Sequence, residues 1–267
     1  MTKRPIITLL TDFGWGDGYI GAMKGVILSI NPDCHIIDLA HEVTPHDVMR
    51  AALVLGQTYA FFPSGTIHVV VVDPGVGGPR RSLALETGDH LFVGPDNGCF
   101  TFVLKRQKEI EAYELTEERF HLPRVSHTFH GRDIFAPVAA HLSTGVPPAA
   151  MGPPIESTDL ASLPIPDPVA ERETLQGEVI GVDSFGNLIT NISQDALGAF
   201  APSGVLEIEI GEERIKGLKT SYEEGTSGEV IALCGSGGLL EISLKEQNLH
   251  RERGWGRGEH VRIRRKQ

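Results

Sequence analysis

Residues 67–72, Ile-His-Val-Val-Val-Val, form a run almost entirely of β-branched residues, interrupted only by His68. A strand with one solvated face alternates apolar and polar positions. A strand with no polar face must be covered on both sides, as in a parallel sheet sandwiched by helices. The chain before it supplies the rest of such a unit. Ile6 to Leu10 is a short apolar run, and Ile20, Met23, Ile27 and Ile30 then recur at helical spacing, with Asp17 as a candidate cap and Asn31-Pro32 as the stop. His35 to Leu39 reads as a strand, and Thr44-Pro45 opens a second helix carrying Val48, Ala52, Leu55 and Tyr59. Strand, helix, strand, helix, strand predicts an α/β fold: a mostly parallel sheet flanked by helices. In such sheets ligands bind beyond the carboxyl ends of the strands, where Asp12 and Asp73 stand here.

The pattern changes after residue 146. Pro147, Pro148, Pro153, Pro154, Pro164, Pro166 and Pro168 crowd a stretch with little periodicity, and short strand-like runs follow at 177–182, 187–192, 205–210, 229–233, 239–243 and 260–264. The expectation is an N-terminal α/β domain over 1–150, a linker over 151–174 and a C-terminal all-β domain over 175–267. The 24 Lys and Arg against 35 Asp and Glu leave a net charge of −11, which disfavours nucleic acid and anionic membranes as partners. Three cysteines, Cys34, Cys99 and Cys234, are scattered without metal-knuckle spacing, and the eleven histidines form no HxH or HExxH pair, so no metal is expected. No apolar run is long enough to span a bilayer or resembles a cleavable leader, which makes the cytoplasm the expected location.

Four short segments carry residue types suited to chemistry. Asp73-Pro74-Gly75-Val76-Gly77-Gly78-Pro79-Arg80 places a carboxylate and a guanidinium at the two ends of a glycine-rich loop. It is either a turn closed by an ion pair or a site presenting both charges; it has neither the ending of a phosphate loop nor a dinucleotide fingerprint. His130, in Phe129-His130-Gly131-Arg132-Asp133, stands at a helix entrance, where the macrodipole disfavours imidazolium. It is either packed or catalytic, and Arg132 with Asp133 reads as an exposed charge pair. Asp12, Asp17 and Tyr19 cluster after the first strand and either grip a polyhydroxylated or cationic ligand or serve as cap and turn. Asp183-Ser184-Phe185-Gly186-Asn187 reads as a tight turn.

Taken together and in order, Thr11-Asp12-Phe13-Gly14, Asp73 to Gly77 with Arg80, Gly94-Pro95-Asp96-Asn97-Gly98, Phe129 to Pro137 and Asp183 to Ile192 resemble the S-adenosyl-L-methionine (SAM) hydroxide adenosyltransferases. These adenosyl-forming SAM hydrolases are relatives of the fluorinases and chlorinases. The resemblance implies hydrolysis of SAM to adenosine and L-methionine without a cofactor, by a homotrimer whose site lies between subunits. It implies Asp73, Arg80 and His130 as the catalytic set. It further implies Asp12 on the ribose hydroxyls, Asp17 and Asp183 toward the methionine portion, Asn187 on the adenine, and Tyr19 and Asn97 as further substrate contacts. Ser236 near the methionine and Tyr222 near the adenine are looser matches, because Gly235 stands where the family pattern has Asn. The halogenating relatives carry a Tyr-Pro segment where Asp73-Pro74 stands, and an inserted loop this chain lacks, which points to water rather than halide as nucleophile. A halide-dependent SAM lyase and a non-catalytic SAM-binding protein are the competing readings.

Overall fold

The structure, a computed structural model, describes residues 4–202 and 205–266 and divides the chain into two compact units between Leu163 and Pro164. The division falls inside the proline-rich stretch. Part of that stretch is folded: Pro154–Ile155 adds a strand to the first sheet and Val169–Ala170 pairs with a strand of the second.

The first unit runs β1 (Ile6–Thr11), α1 (Tyr19–Ile30), β2 (His35–Ala40), α2 (Val48–Thr58), β3 (Thr66–Val71), β4 (Ser82–Thr87), β5 (His90–Pro95), α3 (Thr101–Arg106), β6 (Ile110–Glu114), α4 (Ala136–Ser143) and β7 (Pro154–Ile155). Its sheet has the order β2-β1-β3-β5-β4-β6-β7, in which β2, β1, β3 and β5 are parallel and β4, β6 and β7 extend one edge antiparallel. The strand β3 is buried at all six positions. Its side chains alternate between two cores: Ile67, Val69 and Val71 pack with α1 and α4, whereas Val70 and the following Val72 pack with α2 and α3. That division is what an apolar run without a polar face demands, each such side chain contributing about 1.5–3 kcal/mol on full burial.

Two helix starts differ from the expectation. Gly18, not Asp17, is the cap of α1 and no side chain bonds there. Helix α2 begins at Val48, because the Asp47 carboxylate accepts the Arg50 amide; Thr44-Pro45 lies in the loop before it. Asp47 is the stronger cap, and Pro45 and His46 before it line a cleft.

The second unit contains β8 (Val169–Ala170), β9 (Thr174–Val182), β10 (Leu188–Ser193), α5 (Gln194–Phe200), β11 (Val205–Ile210), β12 (Glu213–Lys216), β13 (Val230–Cys234), β14 (Leu239–Leu244), α6 (Leu249–Arg253) and β15 (His260–Lys266). The strands form one antiparallel sheet in the order β12-β11-β15-β9-β10-β14-β13, with β8 on β9, over a core that includes Val179, Leu188, Ile208, Ile242 and Ile263. The two short helices interrupt what the sequence suggests is all strand. Ser193 caps α5 and Asn248 caps α6, each by a side-chain oxygen accepting an amide.

Candidate active site

The carboxyl ends of β1 and β3 carry Asp12 and Asp73. Beyond β3 the chain turns tightly, with the Val76 amide on the Asp73 carbonyl and the Gly78 amide on the Gly75 carbonyl. Gly77 adopts φ +74°, and a Cβ there would lie 2.2 Å from the His127 carbonyl oxygen, so only glycine fits. The turn returns Arg80 to Asp73. The guanidinium Nε donates to both carboxylate oxygens, at 3.1 and 3.0 Å, and Nη2 closes a second contact to Oδ2. With side chains 4% and 10% exposed, this pair is close to dry.

Arg80 also reaches two further groups: Nη1 donates to Ser82 Oγ at 2.8 Å, and Nη2 lies 2.7 Å from His130 Nδ1. Guanidinium has no acceptor, so Nδ1 must accept. His130 is therefore neutral with its proton on Nε2. Burial, then the Arg80 charge, holds its pKa below the usual 6.5, in agreement with that assignment.

The segment bearing His130 is fixed from beneath. Residues Gly131–Phe135 form one turn of π-helix leading into α4, a local widening often found at functional sites. Asp133 corrects the expectation of an exposed charge pair: it is fully buried while Arg132 is partly open. Its carboxylate accepts the Ser126 amide at 2.8 Å and Arg132 Nε at 2.6 Å. Burial pushes its pKa up, but the bonds from Arg132 and Ser126 outweigh this and keep it below the usual carboxylate value. The bond from the Ser126 amide to the buried Asp133 carboxylate ties the loop before His130 to this helical turn.

Asp12, Tyr19, Asp73 and His130 line one cleft of about 450 Å³ together with Phe13 and Phe129 from the same motifs and with His46 and Thr128, which no sequence pattern marks. Tyr19 packs edge-on against Phe129 and at a tilt against Phe13, making an aromatic wall. His46 holds φ +68° and donates its amide to Asp12 Oδ2 at 2.9 Å. A non-glycine residue in the left-handed region beside a cleft is a signal visible only in the structure. Asp17 is exposed on the approach to α1 and is not among the residues lining the cleft. Asn97 directs its side chain to backbone, Nδ2 to the Val72 carbonyl and Oδ1 to the Cys99 amide, which fixes the end of β3 next to Asp73. Among the described residues no three His, Cys, Asp or Glu converge as metal ligands, and no helix is long and apolar enough to cross a membrane.

In the second unit, Asp183 and Asn187 form a closed turn. Asp183 Oδ1 accepts the Phe185 and Asn187 amides and Oδ2 accepts Asn187 Nδ2. Ser236 is exposed on the turn between β13 and β14. Tyr222 donates to Glu241 Oε2 at 2.9 Å, and burial with the neighbouring acids pushes its phenol up to about 12. Glu241, not anticipated from sequence, is 8% exposed with its pKa raised by burial, and its carboxylate occupies the space that any side chain at Gly235 would need.

The chain matches the model of the SAM hydroxide adenosyltransferase N-terminal domain over residues 7–152 and that of the C-terminal domain over 177–262. It is 38% identical to a Salinispora arenicola protein named (R)-S-adenosyl-L-methionine hydrolase, covering 91% of this chain and 92% of that one. Similarity to a Nocardia brasiliensis fluorinase is lower, 27% identity over 92% of each chain. A crystal structure of an uncharacterized conserved protein from Thermotoga maritima superposes with a TM-score of 0.89 at 36% identity, over 97% of this chain and all of that one. With both domain models matched in order along the chain, this protein belongs to the SAM hydroxide adenosyltransferase family.

Proposed function

We propose that this protein hydrolyses SAM to adenosine and L-methionine by direct attack of water on the ribose C5′. The observation that carries the reading is the linked Asp73–Arg80–His130 set, of which Asp73 and His130 line a cleft that Asp12 also lines. In the step, a C5′–O bond forms as the C5′–S bond breaks and its electron pair returns to sulfur. The sulfonium leaves as a neutral thioether, so no acid is needed on the leaving side. What the protein must supply is a water oriented in line with the breaking bond and a place for its proton.

The hydrogen-bond order supports a division of labour. Asp73, whose oxygens keep lone pairs after accepting from Arg80, takes the water proton. His130, with Nδ1 engaged by Arg80, has its Nε2–H to donate to the water oxygen. Arg80 locks the orientation of both and offsets the Asp73 charge. Asp12 clamps the ribose hydroxyls and so aims C5′; holding the two reactants in line is worth roughly 7–11 kcal/mol in favourable model systems. Asp17, Asp183 and Ser236 face the methionine portion, Asn187 and Tyr222 the adenine, and Tyr19 and Asn97 complete the surroundings. The enzyme works in the cytoplasm as a homotrimer, the first unit of one subunit and the second unit of its neighbour enclosing SAM.

Purified protein incubated with SAM should release adenosine and methionine in equal amounts, without halide. Asp73→Ala and Arg80→Ala should abolish release while SAM still binds by calorimetry. Unchanged turnover in both variants would overturn the catalytic assignment. A 5′-halo nucleoside formed only with chloride or fluoride would favour the lyase reading. SAM recovered intact after prolonged incubation would favour a binding protein.

A further inference from the structure

Behind Asp12 lies a chain of side chains that the reaction leaves unused. Thr11, the last residue of β1, and His41, just past β2, are 0% and 1% exposed. Thr11 Oγ1 lies 2.8 Å from His41 Nδ1, and His41 Nε2 lies 2.8 Å from Asp38 Oδ1. Lys24 on α1 donates to the other Asp38 oxygen at 2.6 Å. The Phe13 amide donates back to Thr11 Oγ1 at 3.3 Å, and the Gly14 amide donates to the His41 carbonyl at 2.7 Å.

One proton order satisfies every member. Asp38 accepts from the His41 Nε2–H, Nδ1 is then free to accept the Thr11 hydroxyl proton, and the hydroxyl oxygen accepts the Phe13 amide. The strands are arranged for it. Between Leu9 and Leu10 the β1–β2 register shifts, Leu9 pairing with Asp38 and Leu10 with Ala40, and such irregularities re-aim the side chains that follow. Asp38 and His41, three residues apart, thereby meet on one side. Trp15 closes the outer side, edge-on to the His41 ring at 4.7 Å. The three residues that flank Asp12 most closely, Thr11, Phe13 and Gly14, are thus all tied directly or through Thr11 to His41, and the Asp12 carboxylate is held at Oδ2 by the His46 amide.

We propose that Thr11, His41 and Asp38 are positioning residues that fix the Asp12 carboxylate for the ribose hydroxyls. This rests on the reading of Asp12 as the ribose clamp. A relay of this kind stiffens the turn without touching ligand, so its contribution passes entirely through Asp12.

The test is a double-mutant cycle on the full-length protein, read as adenosine affinity by calorimetry, with thermal melts to confirm folding. Thr11→Val preserves shape and removes the hydroxyl; it should weaken adenosine binding about tenfold, the scale of a misplaced charge-assisted bond. Thr11→Ser should restore it. Asp38→Ala, at the partly exposed end of the chain, should weaken binding in the same direction and carries the test should Thr11→Val fail to fold. In an Asp12→Ala background neither substitution should cost anything further. Wild-type affinity in Thr11→Val and Asp38→Ala, or losses that add in full to that of Asp12→Ala, would overturn the proposal. Wild-type affinity in Asp12→Ala alone would instead overturn the ribose-clamp reading, and the positioning role with it.

Discussion

Arg80→Lys retains the positive charge and removes the planar fork, which separates electrostatics from geometry at the site. The guanidinium serves three partners at once: Asp73 through Nε and Nη2, His130 Nδ1 through Nη2 and Ser82 Oγ through Nη1. A single ammonium placed against Asp73 keeps that pair and abandons the other two. Two lost bonds at about 1 kcal/mol each come to about 2 kcal/mol of stability, or a fall in Tm of roughly 4–8 °C for a chain of this size. The catalytic loss should be larger. Without the Nη2–H, His130 is free to place its proton on Nδ1, and in the proposed mechanism the donor to the water is then gone; removal of one such oriented donor costs about 100-fold or more in kcat. The assay is adenosine release by chromatography alongside SAM binding by calorimetry, with Kd expected to stay within about threefold because Asp12 and the cleft wall are untouched. Retention of kcat within about threefold of wild type would refute the claim that Arg80 sets the His130 tautomer.

His130 has a pKa held below 6.5, so the acid limb of kcat/KM should lie below that pH; protonation at Nδ1 would place two cations face to face, and a limb at or above 6.5 would contradict the assignment. His68, buried against Phe92 with its pKa lowered to about 3 by burial and then by His90, binds a proton more readily when unfolded. Its folded pKa is depressed, so stability falls as pH drops from 6.5 toward 3, by up to about 1.4 kcal/mol per pH unit from this group; His68→Gln should flatten the dependence of Tm on pH in that window. Gly77→Ala should both lower Tm and cut kcat more than tenfold, because the left-handed φ costs about 1 kcal/mol and the overlap with the His127 carbonyl forces the loop to move. An alanine variant with wild-type turnover would show that the loop geometry is not needed.

What the sequence reveals of the fold follows the strength of each local pattern. The parallel half of the first sheet is legible because β3 has no polar face and α1 repeats at helical spacing. The antiparallel edge made by β4, β6 and β7 is not, since β7 is two residues long and takes its place only by pairing with β6. The proline-rich stretch illustrates the same limit: Arg81 and the Asp96 carboxylate hold residues 159 and 161 on the first unit, contacts 78 and 65 residues apart in sequence. The site divides similarly. Asp73 and Arg80 are readable as a pair because they stand only seven positions apart, whereas His130 joins them from 50 residues beyond Arg80. Asp133 misleads because its type and its arginine neighbour suggest a surface pair, and only the fold shows it closing the Ser126 turn. His46 and Glu241 carry no sequence signature; one is marked by backbone conformation and the other by burial next to a glycine.

In the proposed reaction water attacks C5′ of SAM. Turnover in isotopically labelled water, with the nucleoside product analysed by mass spectrometry, tests it most directly. The label should enter the 5′-hydroxyl of adenosine and nowhere in methionine, at a rate independent of added halide. Unlabelled adenosine, a 5′-halo nucleoside, or S-adenosylhomocysteine as the product would contradict it.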